Sequence, residues 1–347
     1  MADIKYLIVD AQWLLTRNFK QKCNYAKEGD IYMVDGKPVG DENNKPIFTL
    51  VPGFTASDLM TTFFQSVVKF TNDFYKAEKI ILLWDKYPYH KFKFKENYKA
   101  SRHYASTEDL EGLDPIKDAK EIIATKLEID HLKIKQQAKS RIIEHFGTLG
   151  MPSLVLPGYE ADDLAGEVAK YLSAKSNGTS LLWSVDSDWN YLTQPHVNHI
   201  TPKGQIITYE EMMKEVGDLD MSLYEYKSWI DSLAGSHNDL ERTISSEYKV
   251  TDWNECIKII KGGDESILGD AKMFHDQLKS FSVVDYPEYD VVKDMISRID
   301  SMGSIADPVS FSIFTSEQGL NVSNNYYLNY IQQLNQNLYK DEAISIL

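Results

Sequence analysis

Cysteine is almost missing from this chain: Cys23 and Cys256 are the only two in 347 residues. So few and so far apart, they exclude a disulfide framework and a thiolate zinc site. Both read as small buried hydrophobes. Long apolar runs are also missing, with nothing near the roughly 20 residues that span a bilayer. The opening residues lead straight into a β-like segment without the features of a secretory signal. The expectation is a cytoplasmic protein with no membrane partner. Positive charge is in deficit, with 37 Lys and Arg against 52 Asp and Glu and a net charge of −15. Taken alone, that balance weighs against nucleic acid, because phosphate binding recruits Lys and Arg. Internal repeats are lacking too, while the length allows one large domain with a smaller one beside it.

The hydrophobic pattern alternates between strand and helix. Residues 4–9 read as a buried strand ending at Asp10, and 79–84 as a second ending at Asp85. Residues 153–156 make a third, and 180–185 a fourth that runs into Asp186. Between them, Leu59, Phe63, Val67, Phe70 and Phe74 predict a helix capped by Ser57. Leu164, Val168 and Leu172 predict another over 161–175, and a helical pattern closes with Ile142, Ile143, Phe146 and Leu149. Residues 29–52 are turn-rich, with Asp35-Gly36 marking a hairpin-like excursion, and a second hairpin centres on Pro202-Lys203-Gly204. The alternation predicts an α/β fold with a mainly parallel central sheet flanked by helices. It assigns residues 1–209 to that domain and 210–347 to a helical subdomain and tail. The last 45 residues, rich in Ser, Asn and Gln, read as weakly structured or docking.

The carboxylates fall where such a fold binds ligands. Asp10, Asp85 and Asp186 each stand at the carboxyl end of a predicted strand, and Glu160 lies just past another. Any one of them is explained by turn or cap chemistry; four together are not. Glu160-Ala161-Asp162-Asp163 opens a helix, whose dipole favours ionised acids there. Asp186-Ser187-Asp188 adds two acids at i and i+2. Carboxylates gathered this way repel by about 4 kcal/mol per pair at about 4 Å with an effective dielectric near 20. Cations relieve that cost. Hard oxygen donors without Cys or clustered His select Mg²⁺, with Mn²⁺ as substitute, and two such ions can flank a phosphate.

Against the acidic background stands one basic stripe. Between Lys86 and Arg102 lie Lys91, Lys93, Lys95 and Lys99, opposed by Glu96 alone and interleaved with Tyr87, Tyr89, Phe92, Phe94 and Tyr98. Cations tracking phosphates and rings stacking on unpaired bases make a single-strand binding surface. A Lys or Arg immediately after Asp85 is also placed to stabilise charge building on a phosphate. The competing interpretation is an amphipathic segment whose rings face the core.

These segments carry a resemblance. Leu-Ile-Val-Asp10, Leu-Leu-Trp-Asp85, Asn-Tyr-Lys99-Ala-Ser-Arg102, Gly-Tyr-Glu160-Ala-Asp162-Asp163, Ser-Val-Asp186-Ser-Asp188 and Leu-Ala-Gly-Ser-His-Asn-Asp239 follow one another over roughly residues 1–240. In that order they resemble the 5′-nuclease (flap endonuclease, 5′-3′ exonuclease) superfamily, most nearly phage enzymes of the T-even RNase H type. The resemblance implies a PIN-like core, a helical arch within the basic region of about 86–135, and a C-terminal helical subdomain. It implies that Asp10, Asp85, Glu160, Asp162, Asp163, Asp186, Asp188 and Asp239 serve two Mg²⁺ ions. Lys99 and Arg102 would act on the scissile phosphate, and Lys91, Lys93, Lys95 and Tyr98 would bind nucleic acid. The implied substrate is DNA or an RNA/DNA hybrid with a free 5′ end or flap, as in primer removal during phage replication. A monomer in the host cytoplasm, working beside a clamp or single-strand binding protein, completes the picture.

One departure stands out. The family usually has a second acid directly after the glycine of the last motif, where this chain has Ser236; Asp231 is a candidate to compensate, though nothing in the spacing requires it. The glycine-rich helix-hairpin-helix that often follows is not recognisable, Gly262-Gly263 being a poor substitute. Two competing functions follow from the sequence. One is a cleavage-inactive relative that binds branched DNA, motivated by Ser236. The other is a phosphatase of the haloacid dehalogenase type, suggested by Asp186-Ser187-Asp188 but lacking evident Thr and Lys partners.

Overall fold

The computed structural model describes residues 3–23, 30–49, 54–74, 76–96, 98–99, 105–175, 178–236, 239–281, 289–301 and 308–322. Its strands are β1 (Asp3–Asp10), β2 (Met33–Val34), β3 (Lys37–Pro38), β4 (Lys76–Leu83), β5 (Ser153–Leu154), β6 (Ser180–Trp183), β7 (Val197–Ile200) and β8 (Ile206–Ile207). Its helices are α1 (Ala11–Cys23), α2 (Ala56–Asp73), α3 (Tyr89–Phe94), α4 (Ala119–His145), α5 (Ala161–Lys175), α6 (Tyr209–Val216), α7 (Leu223–Ala234), α8 (Trp253–Lys261), α9 (Ala271–Phe281), α10 (Tyr289–Ser301) and α11 (Pro308–Glu317). Among the described residues, no helix is long and apolar enough to cross a membrane. Contacts divide the chain into two units, one of residues 1–12, 74–102 and 150–303, the other of 13–73, 103–149 and 304–347.

The first unit holds a six-stranded sheet in the order β5-β4-β1-β6-β7-β8. Every pair is parallel except β7 with β8, which form the hairpin expected around Pro202–Gly204. Parallel strands need covering on both faces, and the run Tyr6-Leu7-Ile8-Val9 is buried at every position. On one face Tyr6, Ile8, Ile81, Leu83 and Leu182 meet Leu164, Val168 and Leu172 of α5 and Val292 and Ile296 of α10. The apolar spacing that predicted α5 is thus the stripe it buries. The strands are shorter than expected at their carboxyl ends: β4 stops at Leu83, β6 at Trp183, and β5 has two residues. A second core joins α6, α7, α8 and α9 through Val216, Leu233, Ile257 and Phe274. Cys256 is buried within it, as expected, while the side chain of Cys23 lies outside the described residues.

In the second unit Asp35 and Gly36, both with positive φ, make the two-residue turn of the β2–β3 ribbon. That is the backbone a tight hairpin requires. The cap of α2 differs from expectation. Thr55 and Asp58 form reciprocal bonds, Asp58 accepting from the Thr55 amide at 2.9 Å and Thr55 Oγ1 from the Asp58 amide at 3.3 Å. Ser57 instead donates to the Gln318 carbonyl at 3.1 Å. The residues expected to be a weak tail contribute α11, whose Phe311 packs 5.9 Å from Phe64 of α2.

A polar clamp fastens α10 to the sheet. Tyr6 donates to Asp300 Oδ1 at 2.9 Å, Lys175 reaches Asp300 Oδ2 at 2.8 Å, and Lys79 Nζ bonds the Asp300 carbonyl at 2.7 Å. Burial and the neighbouring Asp300 push the Tyr6 hydroxyl up to about 12. Although burial alone would raise the Asp300 carboxyl, the bonds from Lys175 and Tyr6 hold it below its ordinary value. A carboxyl lowered on folding stabilises the native state above its unfolded pKa, and the contribution is lost as pH falls through the lowered value. Asp300→Asn should therefore cost about 1.5–3 kcal/mol at pH 7, and the gap from wild type should narrow below pH ~4. Urea melts at pH 7 and pH 3 check this; an equal gap at both would refute it.

Candidate active site

Register delivers the acids to one rim. Asp10 ends β1 opposite Leu83, and Val9 stands opposite Trp183. Because β1, β4 and β6 run parallel, Asp10, Asp85 two residues past β4, and Asp186 three past β6 leave from the same edge. Asp85 Oδ1 accepts from the Ala161 amide at 2.9 Å, so it caps α5 from a distant segment. The same cap brings Asp85 against Glu160, Asp162 and Asp163. Within the turn, Asp163 Oδ2 accepts from the Glu160 amide at 3.0 Å.

The Asp162 carboxyl reports the convergence. Burial drives it well above the ordinary range, and the carboxylates of Asp85, Glu160, Asp10 and Asp186 drive it further. Five acids from four separate segments therefore share one field. Neighbours fix them: Trp189 Nε1 donates to Asp162 Oδ1 at 2.6 Å, and Ser184 Oγ to Asp10 Oδ2 at 2.8 Å. Asp186 Oδ1 accepts from the Asp188 amide at 3.0 Å. Burial also raises the Asp186 carboxyl.

Cations enter from the stripe. Lys91 is buried, 3% exposed, with its ammonium 2.8 Å from Glu160 Oε2 and 3.0 Å from Asp163 Oδ1. Lys99 pairs with Glu160 Oε1. Burial would raise the Glu160 carboxyl, but the Lys91 and Lys99 ammoniums overcome it and hold the group at about 2. Lys99 has φ of 55°, in the left-handed region that non-glycine residues seldom occupy. Such backbone strain concentrates at functional sites.

This placement revises the expected nucleic-acid surface. Lys91 faces inward and is closed to phosphate at the surface. Tyr98 is likewise buried: its hydroxyl donates to Glu160 Oε2 at 3.1 Å, and its ring meets Phe281 edge-on at 5.6 Å. No face of it is open for a base to stack on. Lys95 donates to the Asp239 carbonyl at 2.6 Å, so it positions the last motif. Of the four, Lys93 alone is exposed, and Lys86 is exposed as well. Arg102 lies outside the described residues. Tyr87, one of the rings of the stripe, is 55% exposed and stacks on Phe92 at 4.5 Å and 7°.

Asp188 stands two residues past Asp186, whose carboxylate accepts its amide, and Asp239 follows α7, its carbonyl held by Lys95. Gly235 makes the turn between α7 and Asp239 with φ of 79°, and a Cβ there would lie 2.7 Å from the Leu240 carbonyl oxygen. The bridge between Ser236 and Leu240 closes the turn. Asp188 pairs with Lys227 at 3.0 Å, and Lys227 also holds Asp231 at 2.6 Å. Lys227, Trp189 and Ser184 carry no distinctive spacing, and only the fold brings them to the acids. Among the described residues, no three His, Cys, Asp or Glu side chains stand grouped so as to hold a metal ion. The hydrogen bonds explain this: Asp85 is turned to an amide, Asp162 to an indole, and Glu160 and Asp188 to ammoniums. The donor set, carboxylate oxygen throughout with mutual repulsion unrelieved at Asp162, still fits a hard divalent cation.

The model of the family described as 5′-3′ exonuclease, N-terminal resolvase-like domain, matches residues 5–217. The fold is similar to that of the T5 D15 protein co-crystallised with metal ions, with a TM-score of 0.50 at 15% identity, covering 86% of this chain and 99% of that one. The bacteriophage T5 D15 flap endonuclease in a pseudo-enzyme–product complex with DNA and metal ions gives 0.47 at 18% identity, over 86% and 98% of the two chains. The catalytic core of Rad2 in complex with DNA substrate gives 0.36 at 13% identity, over 93% and 80%. No curated protein sequence matches the chain.

Two lysines of one stripe should respond differently to losing their charge. Lys91→Met leaves Glu160 and Asp163 buried without their shared cation and should cost about 3–5 kcal/mol. Lys93→Met, on the outside, should stay within about 0.5 kcal/mol of wild type. Urea unfolding without divalent ions measures both, and equal losses would contradict the inward placement of Lys91.

Proposed function

Because the chain belongs to the 5′-3′ exonuclease family, a family of nucleases, we propose that it hydrolyses phosphodiester bonds near free 5′ ends or 5′ flaps of DNA or RNA/DNA hybrids, with Mg²⁺ as cofactor. The arrival of Asp10, Asp85 and Asp186 on one rim of the parallel sheet, with Asp85 bonded to the start of the helix that Glu160 and Asp162 open, is the observation that carries this reading. Primer or flap removal during phage replication is the role the proposal assigns, and residues 210–347 are assigned to a helical subdomain and tail.

The eight acids Asp10, Asp85, Glu160, Asp162, Asp163, Asp186, Asp188 and Asp239 would hold up to two ions, directly or through water. When bound, such ions polarise the phosphate and make water more acidic. The chain's own side chains prepare the geometry. Asp85, clamped on the α5 amide, and Asp162, clamped by Trp189, present fixed oxygens rather than mobile ones. A fixed set needs no reorganisation when charge develops. Lys99, at the entrance to the acids, is the cation assigned to the scissile phosphate, together with Arg102. Exposed Lys86 and Lys93 supply local attraction that offsets the long-range field of an acidic protein.

The test is a 5′-labelled flap substrate. With Mg²⁺ the wild type should release short 5′ products, and excess EDTA should stop the reaction. Asp162→Asn and Asp188→Asn should reduce cleavage below detection with circular dichroism unchanged. Lys99→Ala should slow the chemical step on the order of 10²-fold while substrate affinity changes much less. Full activity in both aspartate variants would sink the mechanism. Tight binding of the flap without cleavage by the wild type would favour the branched-DNA-binding alternative that Ser236 motivates.

A further inference from the structure

Ser236 leaves the last motif one acid short, and the side chain facing the Asp-x-Asp pair carries positive charge. Lys227 on α7 lies 2.6 Å from both Asp231 oxygens and 3.0 Å from Asp188 Oδ1. Its three contacts use the full donor capacity of an ammonium. An exposed ion pair one helical turn apart contributes little and is readily broken. The Lys227–Asp231 pair is packed in, its side chains 19% and 14% exposed, with the ammonium 5.8 Å from the Tyr191 ring centre, whereas Asp188 is 51% exposed and open to an entering ion. An ammonium so far withdrawn from water persists only where carboxylates offset its desolvation. One of those carboxylates belongs to the acids assigned above to metal binding.

Resting on the nuclease reading, we propose that Lys227 is a resident cation of the active site: anchored by Asp231, it neutralises Asp188 so that a divalent ion on the Asp188 side binds only in competition with the ammonium. Two cations sharing one carboxylate oxygen at about 3 Å repel each other strongly. Asp10, Asp85 and Asp162 lie outside this competition, each with its own neutral clamp. The chain therefore takes up one divalent ion tightly and a second weakly. Activity rises with Mg²⁺ in two separated stages, the later one set by displacement of Lys227. Ser236 and Lys227 have a single electrostatic sense, since each leaves the acids with less negative charge than a carboxylate in its place would.

The experiment titrates the full chain with Mn²⁺ in the absence of nucleic acid and reads free ion by electron paramagnetic resonance. The wild type should bind one ion tightly and a second at least about tenfold more weakly. K227M keeps the aliphatic stem without the charge and should tighten the second ion by about tenfold or more, whereas K227R should behave as wild type. K227Q replaces K227M should the latter not fold. Two equally tight ions in the wild type overturn the proposal, as do unchanged affinities in a folded K227M or K227Q. Failure of every form to bind Mn²⁺ removes the metal reading itself, which separates the two failures.

Discussion

Like-charge repulsion at the carboxyl ends of three parallel strands is the constraint around which the site is built. Acids held near one another favour unfolding unless something positive enters or some of them give up their charge. The chain uses amides, an indole and ammoniums for this. Each of these groups is brought from another segment: Ala161 to Asp85, Trp189 to Asp162, Lys91 and Lys99 to Glu160, Lys227 to Asp188. The folded arrangement around the rim is thereby also a partition of the acids. One flank is neutralised by the stripe between Asp85 and Lys99, the other by α7, and Asp162 in between is left with the uncompensated field.

The sheet and the positions of the acids were legible in the sequence because both follow short-range rules. Continuous apolar runs such as Tyr6-Leu7-Ile8-Val9 identify strands buried on both faces, and an Asp directly after such a run lands on the rim. Parallel registration then needs no further information to gather Asp10, Asp85 and Asp186. The cap of α2 was misread by two residues. Ser57 and Thr55 both precede the apolar stripe, and the reciprocal Thr55–Asp58 bonds decide between them. The clue was present as Thr-x-x-Asp, a shorter relative of the familiar Ser/Thr-x-x-Glu box.

The stripe was misread for a different reason. Lys91, Phe92, Lys93, Phe94 and Lys95 alternate in sequence, which invites a surface with all cations on one side. A strand would give that surface. The segment is helical as far as Phe94, and at about 3.6 residues per turn Lys91 and Lys93 lie on nearly opposite faces. Lys91 turns inward to Glu160, and Lys95, the extended residue that ends the helix, reaches the Asp239 carbonyl. A six-residue helix is too short for its period to be recognised without its neighbours. Lys227, and its pairing with Asp231, was hidden more completely. An i, i+4 pair on a helix is commonplace, and only the tertiary position of α7 beside Asp188 distinguishes this one.

The net charge of −15 weighs against a phosphate-binding role, and under the proposed function that conflict is met by location. Acids that gather cations and cations that gather phosphates are not in opposition when they occupy successive layers. Lys91 belongs to the inner layer and lends rigidity to Glu160 and Asp163. Lys86 and Lys93 belong to the outer layer, and Lys99 stands between them, its ammonium on Glu160 and a fifth of its side chain still open to solvent. Under the proposed metal-binding role, thermodynamic linkage would tie the layers together: a divalent ion that relieved the carboxylates would weaken their hold on nearby lysines, and a lysine that let go would be one the acids no longer needed. The same reciprocity would make the resting ion pairs part of the proposed mechanism, their strength determining how readily the acids exchange a lysine for a metal.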